Sequence, residues 1–261
     1  MILDRLAASA RKRVEEKKRR RPLTELQREA EAMEKNTGFP FRQALEAEGI
    51  SFICEVKKAS PSKGIIAEQF PYLEIAEDYQ AAGAAAISVL TEPEYFLGQD
   101  RYLKEIARQA ALPVLRKDFT VDPYQIYEAK VLGASAVLLI CSILSLEQLK
   151  EYLKLARGLG LSALVETHDS REIDLALEAG AGIIGVNNRN LQDFQVDVSN
   201  SLRLRELIPP GVLYVSESGV RTRRDVEILE QNGTDGVLIG ETLMRSPDRQ
   251  RTLRELKGGA G

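Results

Sequence analysis

The chain has 261 residues, 44% hydrophobic and 29% charged, which suits one large α/β domain or two small ones with a sizeable core. A formal net charge of −3 gives no nucleic-acid footprint, and no apolar stretch reaches the ~18–20 residues of a membrane span. Cys54 and Cys141 sit in apolar runs without metal-ligand spacing, so they read as buried thiols of a reducing compartment. His168 is the only histidine, which excludes a histidine-rich metal site and leaves Lys, Glu and Asp for acid–base work.

Residues 1 to about 50 are charged and helical in pattern. The start is not a secretory signal, so the cytoplasm is the expected location. In LTELQREAEAM, Leu23, Leu26, Ala30 and Met33 recur at intervals of three and four, a helix with one apolar face. The run KKRRR at 17–21, flanked by Glu15, Glu16 and Glu25, reads as a solvated helix face rather than a nucleic-acid or membrane contact.

From residue 50 a regular alternation begins. Short β-rich runs occupy 52–57, 85–90, 113–117, 136–140, 162–166, 182–187, 212–217 and 236–240. Helical stretches lie between and after them at 72–82, 100–110, 123–132, 146–159, 171–179, 201–207, 222–231 and 248–256. Several helices close on a glycine that leads to the next strand (Gly83, Gly133, Gly180 and Gly233), where a left-handed residue ends a helix at little cost.

Nearly continuous apolar strands alternating with helices predict a parallel sheet covered by helices. Eight such units fit a closed (β/α)8 TIM barrel spanning 1–261 as one domain, with 1–50 as a helical N-terminal extension. A doubly wound open sheet is the alternative, but neither GxGxxG nor GxxxxGK[ST] follows the first strand.

In a barrel, function lies at the C-terminal strand ends. Those ends carry Glu55 and Lys57, Lys117 and Asp118, Glu166, Asn187 and Arg189, and Glu217 and Ser218. Along a strand, Glu55 and Lys57 share a face while Cys54 and Val56 take the other. Two lysines beside three glutamates in a partly dry pocket perturb one another, which separates acid from base. His168 is expected one loop residue beyond the strand of Glu166, badly placed to substitute as an acid. Gly219 after the seventh strand and Gly240-Glu241 after the eighth are each expected to open a helix whose backbone N–H groups suit a phosphate dianion. Ser60, Ser62 and Lys63 of the first loop are candidates to close the same site.

The motifs EVKKASPSKG, LTEPEYFLG, LRKDFTVDPYQIYEAK, LVETH, IGVNNRNL, VSESGV and LIGETLM, in this order, closely resemble those of indole-3-glycerol-phosphate synthases of tryptophan biosynthesis. The resemblance covers the whole chain, extension included. It implies that 1-(2-carboxyphenylamino)-1-deoxyribulose 5-phosphate is converted to indole-3-glycerol phosphate with release of carbon dioxide and water. It also implies Lys117 as general acid, Glu166 as base, and Lys57 as a second acid that also holds the substrate carboxylate. Glu55, Asn187, Glu217 and Ser218 would orient these groups and the sugar hydroxyls. Phe96, Phe119 and Leu138 would line the anthranilate pocket, with Ser60, Arg189, Gly219, Gly240 and Glu241 toward the sugar phosphate. Glu241 stands where some relatives have Ser, which should matter little if backbone N–H groups bind the phosphate.

The family resemblance implies no metal or organic cofactor, no nucleic-acid or membrane partner, and a small phosphosugar–anthranilate substrate handled by a monomer or weak homodimer. Three other readings remain. A Schiff-base lyase or aldolase needs an uncharged strand-end amine. Phosphoribosylanthranilate isomerase is the pathway neighbour, but no strand-end Cys pairs with an Asp. A barrel that binds a phosphosugar without turnover does not need two acids and a base.

Overall fold

Side chains on the barrel strands alternate between two cores, and this alternation fixes which residues reach the mouth. On AVLLI, Ala136, Leu138 and Ile140 join an inner cluster, while Val137 and Leu139 join an outer one beneath the helices. The computed structural model describes residues 2–190 and 194–259. Leu191, which ends the IGVNNRNL motif, lies outside the described residues.

Among the described residues, eight parallel strands close a barrel in sequence order. They are β1 (Ser51–Val56), β2 (Ala86–Leu90), β3 (Val114–Lys117), β4 (Ala136–Ile140), β5 (Ser162–Thr167), β6 (Ile183–Asn187), β7 (Leu213–Glu217) and β8 (Gly236–Ile239). The ring shuts where Ser51 pairs with Gly236 and Ile53 with Ala86. The fold is a (β/α)8 TIM barrel with helices ahead of it. Pairing of Leu90 with Lys117, Ile140 with Glu166 and Asn187 with Glu217 sets the functional residues at one level of the rim.

The extension consists of α1 (Ile2–Arg20), α2 (Leu23–Ala32) and α3 (Pro40–Leu45). Leu3, Leu6, Ala7 and Ala10 of α1 join the inner cluster from above. Phe41 and Leu45 of α3 join it at the opposite end, where Arg42 donates to the carbonyls of Gly182 and Gly211 ahead of β6 and β7. Leu26 and Ala30 of α2 are buried, whereas Met33 ends the helix in extended backbone and is exposed, off the expected apolar face.

The basic run is not simply a solvated face. Lys17 pairs with Asp100 and Glu128, and Lys18 with Asp122 at 2.7 Å, fastening α1 to the barrel. Arg21 remains local, pairing with Glu25 and Glu29 of α2.

The covering helices are α4 (Tyr72–Ala81), α5 (Asp100–Gln109), α6 (Pro123–Val131), α7 (Leu146–Gly158), α8 (Ser170–Ala179), α9 (Ser199–Leu204), α10 (Arg223–Gln231), α11 (Glu241–Met244) and α12 (Arg249–Leu256). Their starts follow capping chemistry. Thr222 and Asp248, expected inside helices, are instead N-caps accepting from the N–H groups of Asp225 and Arg251. Gly83, Gly133, Gly180 and Gly233 all adopt positive φ, as the glycine-ended helices predict. The loop after β1 folds as a small hairpin in which Ala59–Ser60 pairs with Gly64–Ile65. No described helix is long and apolar enough to cross a membrane.

Candidate active site

One cavity of about 400 Å³ opens at the C-terminal ends of the strands. The site residues proposed from sequence line it, from Glu55, Lys57 and Ser60 on the first unit to Gly240 and Glu241 on the last, except Lys63, which stays outside the lining and reaches the site only through Glu241. Both cysteines lie away from it, buried and unpaired.

At the centre is Lys117, the last residue of β3. Its Nζ lies 2.8 Å from Glu166 Oε2 on β5 and 2.9 Å from Glu217 Oε2 on β7. Burial works against the ammonium, but Glu166, Glu217 and Glu55 outweigh it and raise its proton affinity above that of an ordinary lysine. The two carboxylates that hold it are driven apart. Burial, opposed by Lys117 and reinforced by Glu166, pushes Glu217 up to about 7. Glu166 is equally buried, yet Lys117, His168 and the Asn187 amide hold it below the usual carboxylate range. An ammonium, an ionised carboxylate and a carboxyl pushed up toward neutrality thus share one dry space.

Hydrogen bonds fix the shell around them. Asn187 Nδ2 donates to Glu166 Oε1 at 3.1 Å, and Asn187 Oδ1 accepts from the Ser218 hydroxyl at 2.9 Å. Glu217 Oε1 is buried without a hydrogen-bond partner among the described residues and sits over Gly185, where a Cβ would press on it. Lys57 is ion-paired with Glu55, and Gly240 makes room for the pair. A Cβ at Gly240 would press on the Glu55 carboxylate and lie 2.9 Å from Lys57 Nζ, a steric need not evident from the phosphate reading alone.

One wall is apolar: Phe96, Phe119 and Leu138, with Ile2 and Leu6 from α1. Phe96 and Phe119 lie 6.2 Å apart between ring centroids. The loop carrying Phe96 is built on buried Glu92, whose carboxylate accepts the N–H groups of Glu94, Tyr95 and Phe96. Asp118, beside Lys117, faces away to Arg13 of α1 at 2.9 Å and to Thr91 at 2.7 Å. Burial opposes its charge, and Arg13 and Arg116 overcome that to hold its carboxyl below the ordinary range.

The opposite wall carries Ser60, Ser62, Arg189, Gly219 and Glu241. Ser218 (φ 69°) and Gly219 (φ 95°) form a left-handed turn held by the Asn187 contact. This turn does not lead straight into a helix, because α10 begins only at Arg223 after the Thr222 cap. Glu241 does open α11. Its side chain also matters more than expected, lying 3.1 Å from Arg245, 3.6 Å from Lys63 and 3.8 Å from Arg189.

Sequence reasoning missed three features. Ile2 and Leu6 are ordinary apolar helix residues until α1 is seen to cover the cavity. Arg13 carries no local signal for a partner 105 residues away. His168 did carry one: it stands two residues after Glu166, hence on the same strand face, and its Nε2 is 3.6 Å from Glu166 Oε1.

A family model described as indole-3-glycerol phosphate synthase matches residues 3–256. The chain is 56% identical over 260 residues to the indole-3-glycerol phosphate synthase of Ruminiclostridium cellulolyticum, covering 100% of each. It is 55% identical over 257 residues to that of Endomicrobium trichonymphae, covering 98% of this chain and 100% of the relative. Among solved structures, 3-hexulose-6-phosphate synthase from Salmonella typhimurium superposes with a TM-score of 0.66 over 80% of this chain and 97% of the other. Its identity is 14%, so that likeness bears on the fold alone.

Proposed function

Because the chain belongs to the indole-3-glycerol phosphate synthase family, we propose that Lys117 and Glu166 are the acid and base of that family's reaction at this barrel mouth. The enzyme is a carbon–carbon lyase of tryptophan biosynthesis. It closes the indole ring of 1-(2-carboxyphenylamino)-1-deoxyribulose 5-phosphate, releasing carbon dioxide and water.

The observation that carries the assignment is the Lys117 ammonium held between two carboxylates from different strands. When the anthranilate carbon attacks the ribulose carbonyl, the carbonyl oxygen becomes an alkoxide, far more basic than any lysine. Lys117 then gives up its proton and the oxygen leaves the step as a hydroxyl. Loss of carbon dioxide restores aromaticity. Glu166 removes the proton whose loss accompanies departure of the hydroxyl, and Lys57 protonates that hydroxyl so that it leaves as water. Before decarboxylation, the Lys57 ammonium also faces the substrate carboxylate.

Glu55, Asn187, Glu217 and Ser218 orient the two lysines and the sugar hydroxyls. The aromatic ring lies against Phe96, Phe119 and Leu138. The phosphate takes the side of Ser60, Arg189, Gly219 and the Gly240-Glu241 backbone. The family resemblance is the ground for reading the enzyme as a monomer or weak homodimer. Lining of the cavity by α1 supports 1–261 as one functional unit. Two buried free thiols suit the reducing cytoplasm.

A Schiff-base mechanism requires a neutral amine, and the surroundings of Lys117 favour the charged one. The test is fluorescence-monitored formation of indole-3-glycerol phosphate from synthetic substrate, in parallel with borohydride treatment. Product should form with no trapped adduct. A borohydride-stable adduct on Lys117 or Lys57 would replace this mechanism with the aldolase-like one.

A further inference from the structure

The partners of Glu166 differ in kind. Lys117 lies on Oε2 at 2.8 Å and Asn187 on Oε1 at 3.1 Å, both on the cavity side. Behind Oε1, at 3.6 Å, is Nε2 of His168, a buried nitrogen with no hydrogen-bond partner among the described residues. The ring is gripped from its far side. Glu172 of α8 reaches Nδ1 at 3.1 Å and the His168 backbone N–H at 2.8 Å, and it is itself anchored by the Ser142 hydroxyl. Asn200 of α9 holds the His168 carbonyl at 3.1 Å.

The groups around the imidazole are therefore Glu166 on its own strand, Glu217 on β7, Glu172 on α8, and Cys141 and Ser142 in the turn after β4. Burial works against the imidazolium, but Glu172, Glu166 and Glu217 outweigh it and raise its proton affinity above that of a free imidazole. Cys141 contributes no charge there, since burial and the surrounding carboxylates push its thiol up to about 12.

We propose that His168 is a positioning residue that stands as a fixed imidazolium behind Glu166, keeping that carboxyl in its basic form while Glu172 holds the ring in place. The proposal rests on the reading of Glu166 as the base. Lys117 alone is a poor guarantor of that charge, because it is asked to surrender its proton during turnover. As the ammonium becomes an amine, Glu166 loses its nearest cation just before it must accept a proton. A second cation outside the reacting groups keeps the carboxylate ionised until then.

The experiment uses the fact that His168 is the only histidine, so one imidazole signal reports it without assignment. Its titration, followed by nitrogen-15 NMR in the full chain, should lie above the ~6.5 of a free imidazole. It should fall by about one unit in Glu166→Gln and in Glu172→Gln, the effect of removing an opposite charge within a few ångströms. By linkage, His168→Gln should move the acid limb of the kcat/KM profile upward by about one pH unit, with near-normal rates above the limb. A titration unmoved by Glu166→Gln, or an acid limb unmoved in His168→Gln, would overturn the proposal. If His168→Gln lowered kcat equally at every pH, its role would be structural, which also overturns it. Near-normal turnover of Glu166→Gln would defeat the base assignment instead, whatever the NMR coupling shows.

Discussion

The two walls of the cavity are built on opposite principles. On the side of β3, β5 and β7, Lys117 meets two carboxylates at 2.8 and 2.9 Å, and Glu166 and Glu217 are almost completely buried. On the side of the first and last loops, Glu241 lies among Arg245, Lys63 and Arg189 at 3.1 to 3.8 Å, in partial contact with solvent. The first wall is assembled before substrate arrives, as charge stabilisation in a dry site requires. The second is a loose group of cations with one internal anion, suited to exchanging partners if, as proposed, the phosphate binds there. Substitutions on the first wall should therefore appear in turnover, and those on the second in affinity.

The largest expected effect is on the dry wall. Lys117→Ala should lower kcat by about two to four powers of ten, the usual scale for a general acid. KM should change far less, because the phosphate and ring contacts persist. Lys57→Ala should alter both parameters, since that residue is proposed to hold the substrate carboxylate as well. Near-normal turnover of Lys117→Ala in the fluorescence assay would exchange the roles of the two lysines.

The roof of the cavity tests whether the extension is part of the working enzyme. Deleting 1–40 removes Ile2 and Leu6 from the apolar wall and leaves Asp118, 1% exposed at its side chain, without Arg13. KM should rise roughly 10- to 100-fold, the scale of losing about two apolar side-chain contacts. The melting temperature should also fall, because a buried carboxylate loses one of its two arginines. The rest of the barrel should persist by circular dichroism, since its sheet closes without α1 or α2. Full activity and an unchanged melting temperature would make the extension dispensable.

These regions were not equally legible in the sequence. The strand-end charges were plain, because Glu55 and Lys57 cannot be core residues on an apolar strand, and period-two alternation sets their face. Most helix ends were legible to within a residue or two, α9 ending three residues early at Leu204; Thr222 and Asp248 were misread because a cap begins the pattern it terminates. The Arg13–Asp118 pair spans 105 residues, so no local spacing points to it. The engagement of Glu241 by Lys63, Arg189 and Arg245 depends on three separate segments meeting in space. Only His168 was missed despite a readable signal, since the strand continues through Thr167 and carries the alternation to the next residue.

On the wet wall, Gly219 should govern affinity. At φ 95°, with Val196 and Val198 each 2.7 Å from where a Cβ would stand, any larger residue must displace the loop. Gly219→Leu should raise KM for the substrate about 10- to 100-fold, the range for losing one hydrogen bond to a charged group. Ring-closure chemistry at saturation should be reduced much less. The check is competition by a phosphate-bearing substrate analogue: unchanged affinity for it would remove the phosphate from this turn.

The smallest effect is expected at Glu241, and its sign is the informative part. The carboxylate occupies the cations Lys63, Arg189 and Arg245, which the proposed phosphate site would draw on, while its backbone N–H opens α11. Glu241→Gln keeps the N–H and much of the side-chain volume but removes the competing charge. Substrate affinity should therefore improve about two- to fivefold, the scale of one partly exposed ion pair, with kcat unchanged. Because the freed cations are partly exposed, that gain should shrink as ionic strength rises and the Debye length contracts. A rise in KM at low salt would mean that Glu241 orients the three cations for the phosphate rather than competing with it, and the wet wall would then be as prebuilt as the dry one.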